Sequence, residues 1–361
     1  MANANEKLQS LQTTNQHLVE EYKNELIATM LKFFKRMEKL VNKEISSFYD
    51  EDRPLQKDKT VLMRKIKEIQ TTELNKIKDR TFDDIEKFLG VEASLYKKQL
   101  EDVFEEVSEF IDIKSVDDAS LKKKFSKTKV SMDKEGAVTI ATLWTTFFNS
   151  VNTKIKQSVE NAYLLEKSTR DFNSDINNVY KINENQLGAV IAVLIQQAYG
   201  VAMDAMNNVN MSFIRGYVYN AILDNRTSPI CIEYNGGTWF YGLEEQSSLP
   251  YAVVPPQHYR CRSFTSPIIK SYQELGINAA DLTPSQKELL SGEIPTMSYY
   301  EWFDMQPASI QKDVLGPVRY NAYQKGDVSI TRFYNNGRKL TLNQLRSKGI
   351  HISEEYLRYV K

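Results

Sequence analysis

Apolar residues recur every three or four positions through the first 110 residues, separated by charged ones. Leu18, Tyr22, Leu26, Met30, Phe33, Met37, Val41, Ile45 and Phe48 form the first such series. That spacing places them along one stripe of a helix. Arg53-Pro54 follows, and proline disfavours helical geometry in the residue before it, so a stop is expected near Asp50. A second series runs through Leu62, Ile66, Ile69, Leu74 and Ile77, and a third from Ile85 to Phe110. Gly90 weakens the third without necessarily breaking it. The spacing never becomes a strict heptad, which predicts packed antiparallel helices rather than one long coiled coil.

Residues 114–136 read as a break, and helix resumes at Thr139 with Leu143, Phe147, Val151, Ile155 and Val159 on one face. Asn185 to Asn208 is rich in small residues, which predicts a helix at the centre of a bundle. Its apolar run, Gly188 to Ile195, is far shorter than the ~20 residues a bilayer span needs, so a buried helix and no membrane span are expected. The opening residues lack a basic stretch leading into an apolar one, so no secretory signal is expected. After Met211 the character changes. IRGYVYNAILD alternates and predicts a strand, and TWFY and YAVV are short strand candidates between turn-rich stretches. Short helices return after Ser271, with N-cap signals at Thr283-Pro284 and Ser298. The expected fold is mainly α with a small β module (α+β). It divides into a charged helical arm (1–130), a helical bundle (131–210), the β module (211–268) and a C-terminal extension (269–361).

Composition sharpens this division. The 361 residues carry 47 basic and 47 acidic side chains, so the net charge is zero. A global positive field, the strongest argument for a nucleic-acid partner, is absent. Fifty of the charges, 25 of each sign, lie in the first 130 residues. Lys122, Lys123, Lys124, Lys127 and Lys129 form a local basic cluster around Phe125. Two readings apply: a phosphate-contacting patch with Phe125 stacked on a base, or a solvated linker whose lysines offset the acidic stretch before it.

The chemistry-bearing stretch is 222–264, ILDNRTSPICIEYNGGTWFYGLEEQSSLPYAVVPPQHYRCRSF. It holds both cysteines of the chain, Cys231 and Cys261, and one of its three histidines, His258. Together they are three soft ligands for zinc, one short of a structural set, and Asp224 or a water are candidates for the fourth place. The competing reading buries the two thiols as small hydrophobes, with His258 hydrogen-bonded in a turn and Asp224 capping the next turn, paired with Arg226 or Arg262.

The pattern Asp224-x-Arg226-Thr227-x-x-x-Cys231, then Gly236, then Pro256-x-His258-x-x-Cys261-Arg262, resembles the signature of phage head morphogenesis proteins. These are the minor head proteins of the Mu F type in tailed bacteriophages. In that family the segment commonly reads Arg-Thr-Cys-x-x-Cys and ends Cys-Arg-Cys; here Ser228 and Ser263 stand at two of the cysteine positions. Downstream, Tyr300, Trp302, Gln306, Pro307, Gln311, Leu315, Gly316, Arg319 and Gly326 resemble the family's C-terminal extension. The resemblance covers about residues 140–345.

The resemblance implies a minor virion component at the portal vertex, made in the host cytoplasm and acting in head morphogenesis, DNA packaging or ejection. Its implied partners are the portal protein, the major capsid protein, or both, with phage DNA contacted weakly at most. No catalytic residue and no cofactor are expected on this reading. The alternative from a different class is a zinc-dependent enzyme built on Cys231, His258 and Cys261.

Overall fold

The computed structural model describes residues 2–50, 53–54, 58–132, 136–223, 227–294 and 303–324, with positions 334–335, 338–339, 345, 347 and 349. The fold is mainly helical with a small antiparallel sheet, as the sequence pattern predicts.

Helix α1 (Ala4–Ser46) begins at a capping box, in which Asn3 accepts from the Glu6 amide and the Glu6 carboxylate accepts from the Asn3 amide. A two-residue ladder, β1 (Tyr49–Asp50) with β2 (Arg53–Pro54), turns the chain before α2 (Lys59–Val103). The second series and most of the third are thus one helix of 45 residues that carries Gly90 within it, and the third series runs past the helix through a 3-10 turn, Glu105–Val107.

Burial on these helices repeats every eleven residues. On α1, Leu8, Val19, Met30 and Val41 form one buried row, and Gln12, Lys23, Phe34 and Ile45 another. On α2, Ile66, Ile77, Phe88 and Gln99 do the same. Eleven residues in three turns, about 3.67 per turn, match the α-helix closely enough to keep one face inward with little drift. This period corrects the first series: Val19 and Phe34 are core, while Leu18 is 54% exposed and Phe33 only half-buried. It also puts polar residues in core rows.

Residues 114–136 are not a plain break. Asp117 accepts from the Ser120 amide and caps α3 (Asp118–Lys127), and a hairpin follows, β3 (Lys129–Met132) with β4 (Gly136–Thr139). Leu121 and Phe125, four apart, bury one face of α3 against α2 and α5. Helix α4 (Ile140–Leu164) follows, with Thr139 as its cap and the five predicted apolar positions buried. Helix α5 (Thr169–Val209) touches α1, α2, α3 and α4, which makes it the centre of the bundle. By length and composition α5 is the one described helix apolar enough to cross a membrane, and most of that stretch is buried inside the protein.

The β module is a three-stranded sheet with order β6-β5-β7, where β5 is Ile214–Asn220, β6 Thr238–Phe240 and β7 Phe264–Ile269. The YAVV candidate is not a strand: Tyr251–Val254 is irregular chain whose Val253 plugs the module's small core. The pattern gave no sign of β7, because Pro267 sits within it. An edge strand tolerates proline. The outer edge of β7 lies against α1, where Asn5 Oδ1 accepts from the Ile269 amide at 2.6 Å.

The C-terminal helices α7 (Pro284–Leu289), α8 (Ala308–Leu315) and α9 (Pro317–Gln324) pack onto this frame. Thr283 and Gln286 form a capping box at α7, and Gly316, at φ +75°, ends α8. Phe303 and Gln311 are buried, and Gln311 Nε2 donates to the Phe303 carbonyl at 3.1 Å. Ser298, Tyr300, Trp302 and Gly326 lie outside the described residues. One continuous hydrophobic cluster runs from Ala4 through all the long helices to Phe303 and Leu315, crossing residue 130 without interruption.

Candidate metal centre

Two separate pieces of chain meet beneath β5. Helix α6 (Pro229–Tyr234) is a short turn of helix capped by Ser228, whose Oγ accepts from the Cys231 amide at 3.4 Å. It directs Cys231 inward, under Tyr219 of β5. Gly236, at φ +80°, then reverses the chain, and its amide donates to the Tyr219 carbonyl at 2.8 Å. A side chain would strain that left-handed turn. The loop returning to β7 brings Pro256, His258 and Cys261 to the same place.

The Cys231 Sγ lies 3.2 Å from His258 Nε2 and 3.7 Å from Cys261 Sγ. All three donor atoms fall within 4.8 Å of one another. Both cysteines are buried and unoxidised, and His258 is half-buried. The other ring nitrogen, Nδ1, is 2.7 Å from the Tyr259 carbonyl oxygen. Donation there places the proton on Nδ1 and leaves the Nε2 lone pair facing the sulfur atoms. The Tyr219 hydroxyl completes the surround at 3.3 Å from Cys231 Sγ. Hydrogen bonding from Cys261, and then from His258, pulls the Cys231 thiol below its ordinary range, while burial pushes Cys261 up. Burial likewise raises the Tyr219 hydroxyl, which stays protonated.

A small cleft opens on this cluster, with about 10 Å³ of free space lined by Thr227, Ser228, Arg262 and Ser263 among others. That is room for about one water. Thr227 itself is engaged, its Oγ1 donating to the Ile222 carbonyl at 2.5 Å. The two serines at the resemblance's cysteine positions therefore both border the site. Asp224 and Arg226 lie outside the described residues.

Helices α1 and α5 hold the cluster from behind. Gln196 Nε2 donates to the Ser263 carbonyl at 2.7 Å, and Lys23, only 2% exposed, reaches the Cys261 carbonyl at 3.4 Å. Lys23 also donates to Glu20 Oε1 at 2.6 Å and to Gln196 Oε1. Burial lowers its pKa, partly offset by Glu20. Gly200 of α5 admits the Pro255 carbonyl, since a Cβ there would stand 2.8 Å from that oxygen. Sequence reading missed Lys23, Gln196, Gly200 and Tyr219. The available signal was a lysine and glutamines recurring in rows otherwise filled by apolar residues.

The basic cluster is arranged differently. Phe125 is 3% exposed and packed in the core, so it does not offer a ring for a base. Lys122 pairs with Glu86 at 2.7 Å and Lys124 with Asp204 at 2.5 Å, while Lys123, Lys127 and Lys129 point to solvent.

No protein-family model, curated protein or solved structure matches this chain.

Proposed function

We propose that this chain is a minor phage head protein of the Mu F type, acting at the portal vertex through protein-protein binding. One observation carries the reading. Cys231, His258 and Cys261, three members of the resemblance whose outer two lie 30 positions apart, converge within 4.8 Å. Gly236 provides the turn that lets α6 approach β5, and Pro256 stands in the returning loop. A chance match to a sequence pattern would not be expected to assemble a single buried site from its dispersed members.

The architecture suits a rigid adaptor. The sheet module is fastened to α1 and α5 by buried hydrogen bonds, and α1 shares its core with the rest of the bundle. The proposed contact for portal or capsid protein is then the charged outer face of the long helices, with the C-terminal extension as a second surface. On this reading the chain occupies the virion head and needs no catalytic residue.

The test is co-purification. The tagged full chain, co-expressed with a portal protein taken from the same genome, is expected to form a complex that survives size-exclusion chromatography. Separate elution of the two folded proteins would refute the proposed contact.

A further inference from the structure

We infer that Cys231, His258 and Cys261 bind one zinc ion, with a water as fourth ligand, and that the ion pins the irregular chain between β6 and β7. The inference does not depend on the head-protein reading, because it is measured on the purified chain alone.

Spacing is the first argument. Two sulfurs bound to a tetrahedral zinc at about 2.3 Å stand about 3.8 Å apart, and a sulfur and an imidazole nitrogen about 3.6 Å apart. The observed separations are 3.7 Å for the two sulfurs and 3.2 Å for Cys231 Sγ and His258 Nε2. The sulfur pair already has zinc spacing, and the imidazole needs to withdraw only by a few tenths of an ångström. A disulfide requires sulfurs at about 2.05 Å, far closer than these.

Orientation is the second. Zinc-bound histidines characteristically donate their other ring N–H to a carboxylate or carbonyl, which fixes the tautomer. His258 has that arrangement with Tyr259 O at 2.7 Å. Donor chemistry is the third: two thiolates and an imidazole select zinc over magnesium or calcium, and two thiolates neutralise the dication within a buried site. The cleft beside Ser228 and Ser263 leaves space for about one water as the remaining ligand.

The location gives the ion a task. From Tyr241 to Ser263 the chain has one 3-10 turn, Glu244–Gln246, and otherwise no regular structure. Stretches this long without secondary structure are uncommon in compact domains. Leu249 and Val253 fix its middle in a small core with Tyr217 and Tyr219. His258 and Cys261 lie at its far end, and an ion joining them to Cys231 of α6 closes the module. Small loop-rich modules often gain their stability from such a metal.

Metal analysis of the full chain, purified without chelator under reducing conditions, is expected to give one zinc per chain. Cys261→Ser and His258→Ala are expected to lose it, and His17→Ala to keep it. Because Cys261→Ser removes a buried group, exchange of cobalt into the unaltered chain supplies a second readout. Tetrahedral ligand-field bands with thiolate-to-cobalt charge transfer are expected. Chelation is expected to speed proteolysis within residues 241–257 at least tenfold. A folded chain with reduced thiols and no zinc, a cobalt spectrum without thiolate bands, or a Cys231–Cys261 disulfide in place of metal would each overturn the inference.

Discussion

Gln196, at the centre of α5, donates to the carbonyl of Ser263, the residue two places after Cys261. The same side chain accepts from Lys23 and exchanges hydrogen bonds with Gln16, both on α1. One amide thus joins two helices to the loop that carries the candidate site. Replacing it with an apolar residue of similar size strands the Ser263 carbonyl and takes one acceptor from the buried Lys23 ammonium, which keeps Glu20 and the Cys261 carbonyl. Gln196→Leu is expected to cost about 2–4 kcal/mol. Urea denaturation of both proteins measures it, and a difference below about 1 kcal/mol would show that the network is slack.

Glu92 of α2 is 6% exposed and accepts from Asn15 Nδ2 at 2.7 Å. Burial pushes its pKa up from 4.5 to about 7, against the lowering effect of Asn15. The folded state therefore holds a proton that the unfolded chain releases. The stabilising contribution is complete below about pH 4.5 and is lost as pH rises through about 7. The full loss corresponds to about 3 kcal/mol. Glu92→Gln keeps an acceptor for Asn15 and removes the titration. Denaturation at pH 4.5 and pH 8 should show the variant close to wild type at the lower pH and more stable at the higher.

The α3 segment separates two readings of its lysines. Phe125→Ala is expected to cost about 3–5 kcal/mol, as a core truncation does. Lys123→Gln and Lys127→Gln should stay within about 0.5 kcal/mol of wild type. Thermal melts measure all three. If Phe125→Ala leaves stability unchanged and weakens DNA binding instead, the core assignment of this ring is wrong.

Gly200 is a point of close approach between α5 and the module. Its missing Cβ leaves space for the Pro255 carbonyl, which a methyl group would meet at 2.8 Å. Alanine favours helix intrinsically, yet Gly200→Ala is expected to destabilise by about 1–3 kcal/mol. A rise in melting temperature would show that the loop is free to move away.

Much of this was legible in the sequence. Period and turn chemistry predict long helices, a strand within 214–224 and a central helix over Asn185–Asn208, of which β5 and α5 are the observed forms, and they point to the segment holding Cys231, His258 and Cys261. What stayed hidden has physical causes. Apolar-only patterns skip polar core positions, so Gln12, Lys23 and Glu92 interrupted the rows that the eleven-residue period completes. The same omission favours Leu18, four before Tyr22, over Val19, four before Lys23. Strand β7 was obscured by Pro267, whose presence is tolerated only because β7 is an edge strand, a fact of tertiary arrangement. The pairing of Gln196 with Ser263 depends on two segments 67 residues apart, and no local signal reports it.

The head-protein account is tested most directly by finding where the chain goes. That account makes the chain phage-encoded, and it predicts that quantitative mass spectrometry of purified heads detects the chain alongside portal protein, in far fewer copies than the major capsid protein. If infected cells make the chain but purified heads and head precursors both lack it, the account is contradicted.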